Sequence, residues 1–351
     1  MPLPELKRIA GTAMLALLAA GPAAQAQTPA APRPVKVLII SMFGPEAKPW
    51  VEQLHLDQEI AVPGLSPDYP AVHCNADGVC QMTTGMGHAN AAASTMALLW
   101  SRQFDLTRAY VLIAGIAGID PAKGTLGTAA WARYLVDFGI QHEIDAREMP
   151  PGWGSGYLGI GAKDPAGTPP LNYRTEVFQL NEDLLQAALA LTRDAKLADG
   201  EAAAAYRAHY PEAPANQPPK VVQCDTLAGD TYWHGALIGK RAEDWVALLT
   251  DGKGDYCTTQ QEDNATFEAL RRGEEAGLVD TGRVAVLRTA SNFDRPHPGQ
   301  TTVESLQARS GGFPVAIANL AAAGAPFVQA VVEDWAAWQA GVPAAVQLSR
   351  P

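Results

Sequence analysis

Past residue 26 the chain lacks any uninterrupted run approaching the roughly 20 apolar residues that a membrane-crossing helix needs. It also lacks the long series of alternating strands that marks a membrane barrel. Helices and closed barrels are the backbones that satisfy their own hydrogen bonds in lipid, so the sequence reads against a membrane-spanning channel or carrier and predicts no membrane span in the mature chain. The richest apolar segment, Phe313 to Ala330, is interrupted by Gly324 and Pro326. It reads as a helix ending at Ala323, then a second element, buried strand or helix, from Val328. Basic residues are in deficit: 26 Lys and Arg face 37 Asp and Glu, a net charge of -11. Nucleic-acid and anionic-membrane surfaces call for a basic patch, so neither partner is expected, and the negative charge reads as a contribution to solubility. No Cys-x-x-Cys unit and no histidine-rich cluster points to a metal. The Lys and Ser/Thr of a phosphate-binding loop are missing, and Gly85-Met86-Gly87 lacks the third glycine of a dinucleotide fingerprint. No cofactor is expected.

What is present begins with a leader. Lys7 and Arg8 supply a positive start, Ile9 to Ala20 an apolar stretch, and Ala24-Gln25-Ala26 a small-residue cleavage site before Gln27. Residues 1–26 therefore read as a secretory signal, too short in its apolar part for a comfortable membrane anchor, and the mature chain as periplasmic or secreted. Residues 27–35, rich in Pro and Ala, read as a flexible linker. Export permits disulfides. Cys74 and Cys80 bracket a turn between two strand-like runs and would close a hairpin; Cys224 and Cys257 would form the second pair, with four free thiols as the alternative.

With 351 residues and 47% hydrophobic composition the chain can bury a large core. Residues 36–345 read as a single α/β domain with insertions around 145–220. Lys36 to Ile40 is a continuous apolar run of the buried parallel-strand kind. A helix is expected from Trp50, a strand over Val79–Thr84, the turn Gly85-Met86-Gly87, and a helix over Ala89–Trp100. A second buried strand, Ala109–Ala114, is expected to end in the turn Gly115-Ile116-Ala117-Gly118. Strand, glycine turn, helix, strand is the rhythm of an α/β sheet. Pro150 to Pro170 reads as a long loop, and Leu180–Thr192, Asp199–His209 and Asn264–Gly277 as helices. Leu227–Trp233 reads as strand then loop, and Arg283–Thr289 as a further strand.

Each glycine turn alone is a weak signal, but several elements in order resemble the nucleoside phosphorylase and nucleosidase superfamily. Lys36 to Glu46 resembles its opening strand and loop, Thr84 to Gly87 its second glycine turn, and Ala114 to Gly118 its third. Ala228-Gly229-Asp230-Thr231-Tyr232-Trp233 is similar to its base-stacking segment. Gln261-Glu262 stands where Met-Glu holds the ribose, and Ser291-Asn292 where Ser-Asp approaches the purine. Gly-Asp-Thr-Tyr-Trp-His, Gln-Glu-Asp-Asn-Ala-Thr and Thr-Ala-Ser-Asn-Phe-Asp-Arg-Pro resemble one branch, the purine nucleoside permease family. The resemblance implies a nucleoside phosphorylase-like three-layer α/β/α fold with a central mixed sheet, purine nucleosides as ligands, a homo-oligomer, and, from the branch's name, nucleoside transport.

Cleavage of an N-glycosidic bond passes through an oxocarbenium-like sugar, so a site must hold the ribose, aid the departing base and present a nucleophile. Glu262 suits the first task, since a carboxylate accepts from two hydroxyls, with Gln261 beside it; a helix N-terminal acid is the alternative. Asn292, with Ser291, suits the second, although an amide cannot act as an acid; Asp294 is close enough to supply the proton, or is a turn residue. Tyr232 and Trp233 offer faces for stacking or plain core. His234 and His88 flank the glycine turns and are candidates for the sugar 5′-hydroxyl. Gly85 and Gly115 would line the ligand. Glu46 aligns with the water-activating base of the nucleosidases, or is a surface carboxylate. Ile113 and Ile116 stand where six-subunit phosphorylases hold phosphate with Arg and Ser. Two isoleucines cannot bind a dianion, which favours hydrolysis unless Lys48 or Arg295 supplies another anion site. The competing readings are a nucleosidase-like enzyme, a non-catalytic protein handing nucleosides to a separate membrane transporter, and an exported protein whose pocket takes another ligand.

Overall fold

The computed structural model describes residues 31–347. The signal sequence and the first part of the linker expected from the sequence lie outside the described residues. The linker stops short of its expected end. Arg33 and Pro34 pair in parallel with Phe104 and Asp105, and Val35 is already buried, because the backbone there finds a partner strand.

The apolar run opens the sheet. All five residues of Val37–Ser41 are buried, and the strand runs parallel to Val79–Thr83 on one side and Tyr110–Ile119 on the other. Successive side chains leave a strand on opposite faces. Leu38, Ile40, Val111 and Ile113 accordingly join one core cluster, with Leu98 and Leu99 of helix His88–Ser101 and Phe267 and Leu270 of helix Asp263–Glu275. Val37, Ile39, Tyr110 and Leu112 join the other. There they meet Trp50 of helix Gly44–Gln53, Leu184 of helix Glu182–Thr192 and Phe327 of helix Gly312–Glu333. Both faces are covered, giving the expected three-layer α/β/α arrangement. The 12-stranded sheet is mixed. Val284–Phe293 runs parallel to Tyr110–Ile119, whereas Tyr256–Gln260 meets it antiparallel at Gly118 and Ile119.

Three expectations need correction. The segment Gly115-Ile116-Ala117-Gly118 is not a turn but the second half of the ten-residue strand Tyr110–Ile119, its backbone held by the parallel partner Val284–Phe293. The helix expected from Trp50 starts at Gly44, with Pro45 in the first turn, where its missing N–H is not needed. Phe313–Ala330 is not divided at Gly324 and Pro326: Gly312–Glu333 is one helix of 22 residues. Gly324 serves close approach, since a Cβ there would lie 2.6 Å from the Trp50 ring. By length and composition this helix would suffice to cross a membrane, at a mean hydropathy of 1.8, and 56% of that apolar stretch is buried inside the protein. Cys74 bonds Cys80 and Cys224 bonds Cys257.

Candidate functional site

The long strand Tyr110–Ile119 changes neighbours along one edge. Val37–Ser41 accompanies it only as far as Ile113, and Tyr256–Gln260 takes up that edge at Gly118. Residues 114–117 therefore have no strand beside them there, and a cleft of about 370 Å³ opens over them, within the range of ligand sites. It lies beyond the carboxyl end of Val37–Ser41, where open α/β sheets place their ligands. Glu46, Met86, Tyr232, Gln261, Glu262, Ser291 and Asn292 all line it, together with Arg288.

Glu46 fills the gap between the strands. It sits in the first turn of helix Gly44–Gln53 and is 2% exposed. Its Oε1 accepts from the Ile116 N–H at 2.7 Å and its Oε2 from the Met42 N–H at 2.8 Å, so a side chain satisfies backbone that the departing strand leaves free. Burial pushes its pKa up from 4.5 to about 7, against the opposing pull of Arg288 and of the two N–H groups. Gly115 must be glycine for this to fit. A Cβ there would lie 2.5 Å from Arg288 Nη1 and 2.8 Å from Glu46 Oε1.

Glu262 precedes helix Asp263–Glu275 and is 3% exposed. Its Oε1 accepts from the Gly87 N–H at 3.0 Å. Gly87, at φ +88, makes the left-handed turn that aims that N–H across the cleft and starts helix His88–Ser101. Burial raises the Glu262 pKa, while Arg288 and the Gly87 N–H oppose the rise.

Arg288 pairs with Asp263 and Glu262 and acts on Glu46 through charge alone. Nη2 donates to Asp263 Oδ1 at 2.5 Å, and lies 3.4 Å from Glu262 Oε2; Nε donates to Asp263 Oδ2 at 3.2 Å, and Nη1 to the Ile116 carbonyl at 3.1 Å. Burial by itself would lower its pKa, but Asp263 and Glu262 outweigh that and push it up. Sequence reasoning passed over this residue. Its signal was a lone charge inside the apolar run Val284-Ala285-Val286-Leu287-Arg288, which a buried strand tolerates only with partners. Met42, Phe43 and Phe313 complete the apolar wall and gave no sequence signal.

Asn292 stands on the opposite wall beside Gly118 and is exposed. Ser291 Oγ lies 2.9 Å from Asn292 Oδ1, and Asn292 Nδ2 donates to the Phe293 carbonyl at 3.0 Å. The amide is thereby oriented, with one N–H still available. Tyr232 lies at the mouth, 77% exposed, and Gln261 Nε2 donates to the Asp230 carbonyl at 3.0 Å.

Other candidates fall outside the cleft. Asp294 lies past the end of the strand Val284–Phe293, turned away and buried, taking a hydrogen bond from Tyr256 Oη at 2.8 Å and from Arg295 Nε at 2.7 Å. Burial raises its pKa to about 6, against the pull of Arg295. Trp233 packs on Phe138 at 5.9 Å, as core. His234 Nε2 lies 2.8 Å from Ser305 Oγ, and His88 lies between Asp230 and Asp137. A Cβ at Gly85 would lie 3.1 Å from the Asn90 side chain, and Gly115 lies beneath the Glu46 and Arg288 side chains. Neither alternative anion site exists in the cleft: Lys48 is exposed beside Glu52, and Arg295 is held by Asp294, Asp120 and Glu243.

Solved structures place the fold. The chain is similar to a mutant of the Helicobacter pylori nucleosidase MTAN solved with 5′-methylthioadenosine in its active site, at TM-score 0.51 and 15% identity, over 86% of this chain and 99% of that one. It is also similar to a Streptococcus pneumoniae MTA/SAH nucleosidase in complex with 8-aminoadenine, at TM-score 0.50 and 18% identity, over 84% of this chain and 100% of that one. The fold is nucleoside phosphorylase-like, as the sequence implied. Within it, the purine nucleoside permease (NUP) family model matches residues 34–343, and the chain belongs to that family. Its relatives include a probable purine nucleoside permease of Schizosaccharomyces pombe, 41% identical over 86% of this chain and 90% of the relative. A purine nucleoside permease of Candida albicans is 40% identical over 86% of this chain and 75% of its own length.

Proposed function

We propose that the protein binds a purine nucleoside in this cleft and hydrolyses its N-glycosidic bond. The observation that carries the reading is the convergence of Glu46, Arg288 and Glu262 in one cleft, with Glu46 poised near neutral pH by burial. A general base works best with its pKa near the working pH. Glu46 takes a proton from water as the water oxygen bonds the anomeric carbon. The bond from that carbon to the base nitrogen breaks, and its electron pair leaves with the base, which is reprotonated from solvent. Glu262 accepts from the ribose hydroxyls, and the free Asn292 N–H donates to the purine. Phosphorolysis fits less well. Among the described residues Arg288 is the one cationic side chain lining the cleft, and Asp263, Glu262 and Glu46 all act on it, so a phosphate dianion would meet net repulsion.

One observation favours a second reading, nucleoside binding without turnover for delivery to a separate membrane transporter. Asp294 is locked away from the cleft, so the base side carries an amide and no acid. Export with removal of residues 1–26, and assembly into a homo-oligomer, belong to the same proposal; the two disulfides support an oxidising compartment. Purified protein is incubated with inosine, guanosine and adenosine, with and without phosphate. Free base released independently of phosphate supports hydrolysis. Tight calorimetric binding with no base released selects the second reading, and release no faster than in buffer removes the first.

A further inference from the structure

We propose that Gln260 is a specificity-determining residue: with Glu262 it reads the hydroxyl pair of the sugar, its Nε2–H donating to a hydroxyl oxygen. This rests on the nucleoside reading of the cleft. Gln260 ends the strand Tyr256–Gln260, is 7% exposed and lines the cleft two residues before Glu262. The orientation of its amide is fixed by its partners. Oε1 receives the Glu262 N–H at 2.7 Å and the Asp263 N–H at 3.0 Å, and lies 3.3 Å from Arg288 Nη2. Three donors converge on that atom, so it is the oxygen. The nitrogen, with two hydrogens to give, is buried without a partner among the described residues. No other described side chain lining the cleft carries such an atom.

A buried donor without an acceptor is unfavourable until something accepts from it. An ionised Glu262 is acceptor-only and takes hydroxyl protons, which leaves lone pairs on the same hydroxyl oxygens. An amide N–H beside a carboxylate is the complement of a vicinal diol, one group taking its protons and the other filling its oxygens. A sugar lacking the matching hydroxyl leaves the Gln260 donor buried and unpaired, and sites built this way reject the deficient analogue strongly.

The test compares inosine, 2′-deoxyinosine and 3′-deoxyinosine by kcat/KM for base release and by calorimetric affinity. Wild-type protein prefers inosine over at least one deoxy analogue by on the order of 100-fold or more. Gln260→Glu keeps the oxygen that faces the backbone donors and replaces the amide donor by an acceptor; it narrows that preference at least about tenfold. Gln260→Met, uncharged and similar in length, gives the same narrowing should the added carboxylate unfold the chain. Variants that weaken inosine and deoxyinosine equally, or a wild type indifferent to both hydroxyls, overturn the role of Gln260 alone. A wild type that neither binds nor cleaves any nucleoside overturns the reading of the cleft as well.

Discussion

Glu46→Gln removes a carboxylate that the fold holds against its own preference, and the cost can be worked out. Burial, opposed by Arg288 and by the Ile116 and Met42 N–H groups, moves its pKa from 4.5 to about 7. At about 1.4 kcal/mol for each tenfold change in proton affinity, ionising this group in the folded state costs about 3 kcal/mol more than in the unfolded chain. The sign follows from the direction. A pKa raised on folding means that stability is fully present below pH 4.5 and lost as the pH rises through about 7. Urea unfolding of wild type and Glu46→Gln from pH 4 to 8 should show the variant gaining about 3 kcal/mol on wild type across that range. A constant offset of about 1–3 kcal/mol runs against it, because the glutamine amide cannot accept from both N–H groups. Base release by wild type should rise through pH 7 as Glu46 ionises, and the variant should show none. A pH-independent difference in stability refutes the account of burial, and base release by the variant at the wild-type rate refutes the role as base.

Arg288→Met leaves Asp263 and Glu262 as buried carboxylates without their cation and should destabilise the chain by about 3–5 kcal/mol, read as a lowered urea midpoint; a loss under about 1 kcal/mol would show that the guanidinium is dispensable. Gly115→Ala sets a methyl against Arg288 and Glu46 and should cost about 1–3 kcal/mol and at least tenfold in base release. Asp294→Asn should leave kcat for base release within about twofold, since the residue lies outside the cleft, while lowering stability through its hydrogen bonds to Arg295 and Tyr256 by about 1–3 kcal/mol.

Much of the architecture was legible because it follows from local rules. Val37–Ser41 is apolar at every position but its last, and a strand buried on both faces needs that. The order of the glycine turns, Gln261-Glu262 and Ser291-Asn292 pointed to the superfamily, and Glu46, Glu262 and Asn292 do line one cleft. Errors arose where a local rule met a tertiary partner. Gly115 and Gly118 read as a turn, yet a parallel neighbour keeps them extended. Gly324 and Pro326 read as a break, yet the Trp50 ring needs the absent Cβ and the helix continues.

The sequence by itself determined the alternation that covers the sheet on both faces and the residue types able to grip a sugar and face a base. Only the tertiary structure decided which of them meet. Tyr110–Ile119 outruns its first neighbour before gaining its second, a relation between strands far apart in the chain that no local pattern encodes. That offset opens the cleft, leaves the Ile116 N–H for Glu46 to satisfy, and draws Arg288 into the acidic centre. A bulge of one residue lets the consecutive Ser291 and Asn292 both line the cleft, because two residues there oppose one on the partner strand; Asp294, past the strand's end at Phe293, turns instead to Tyr256 and Arg295.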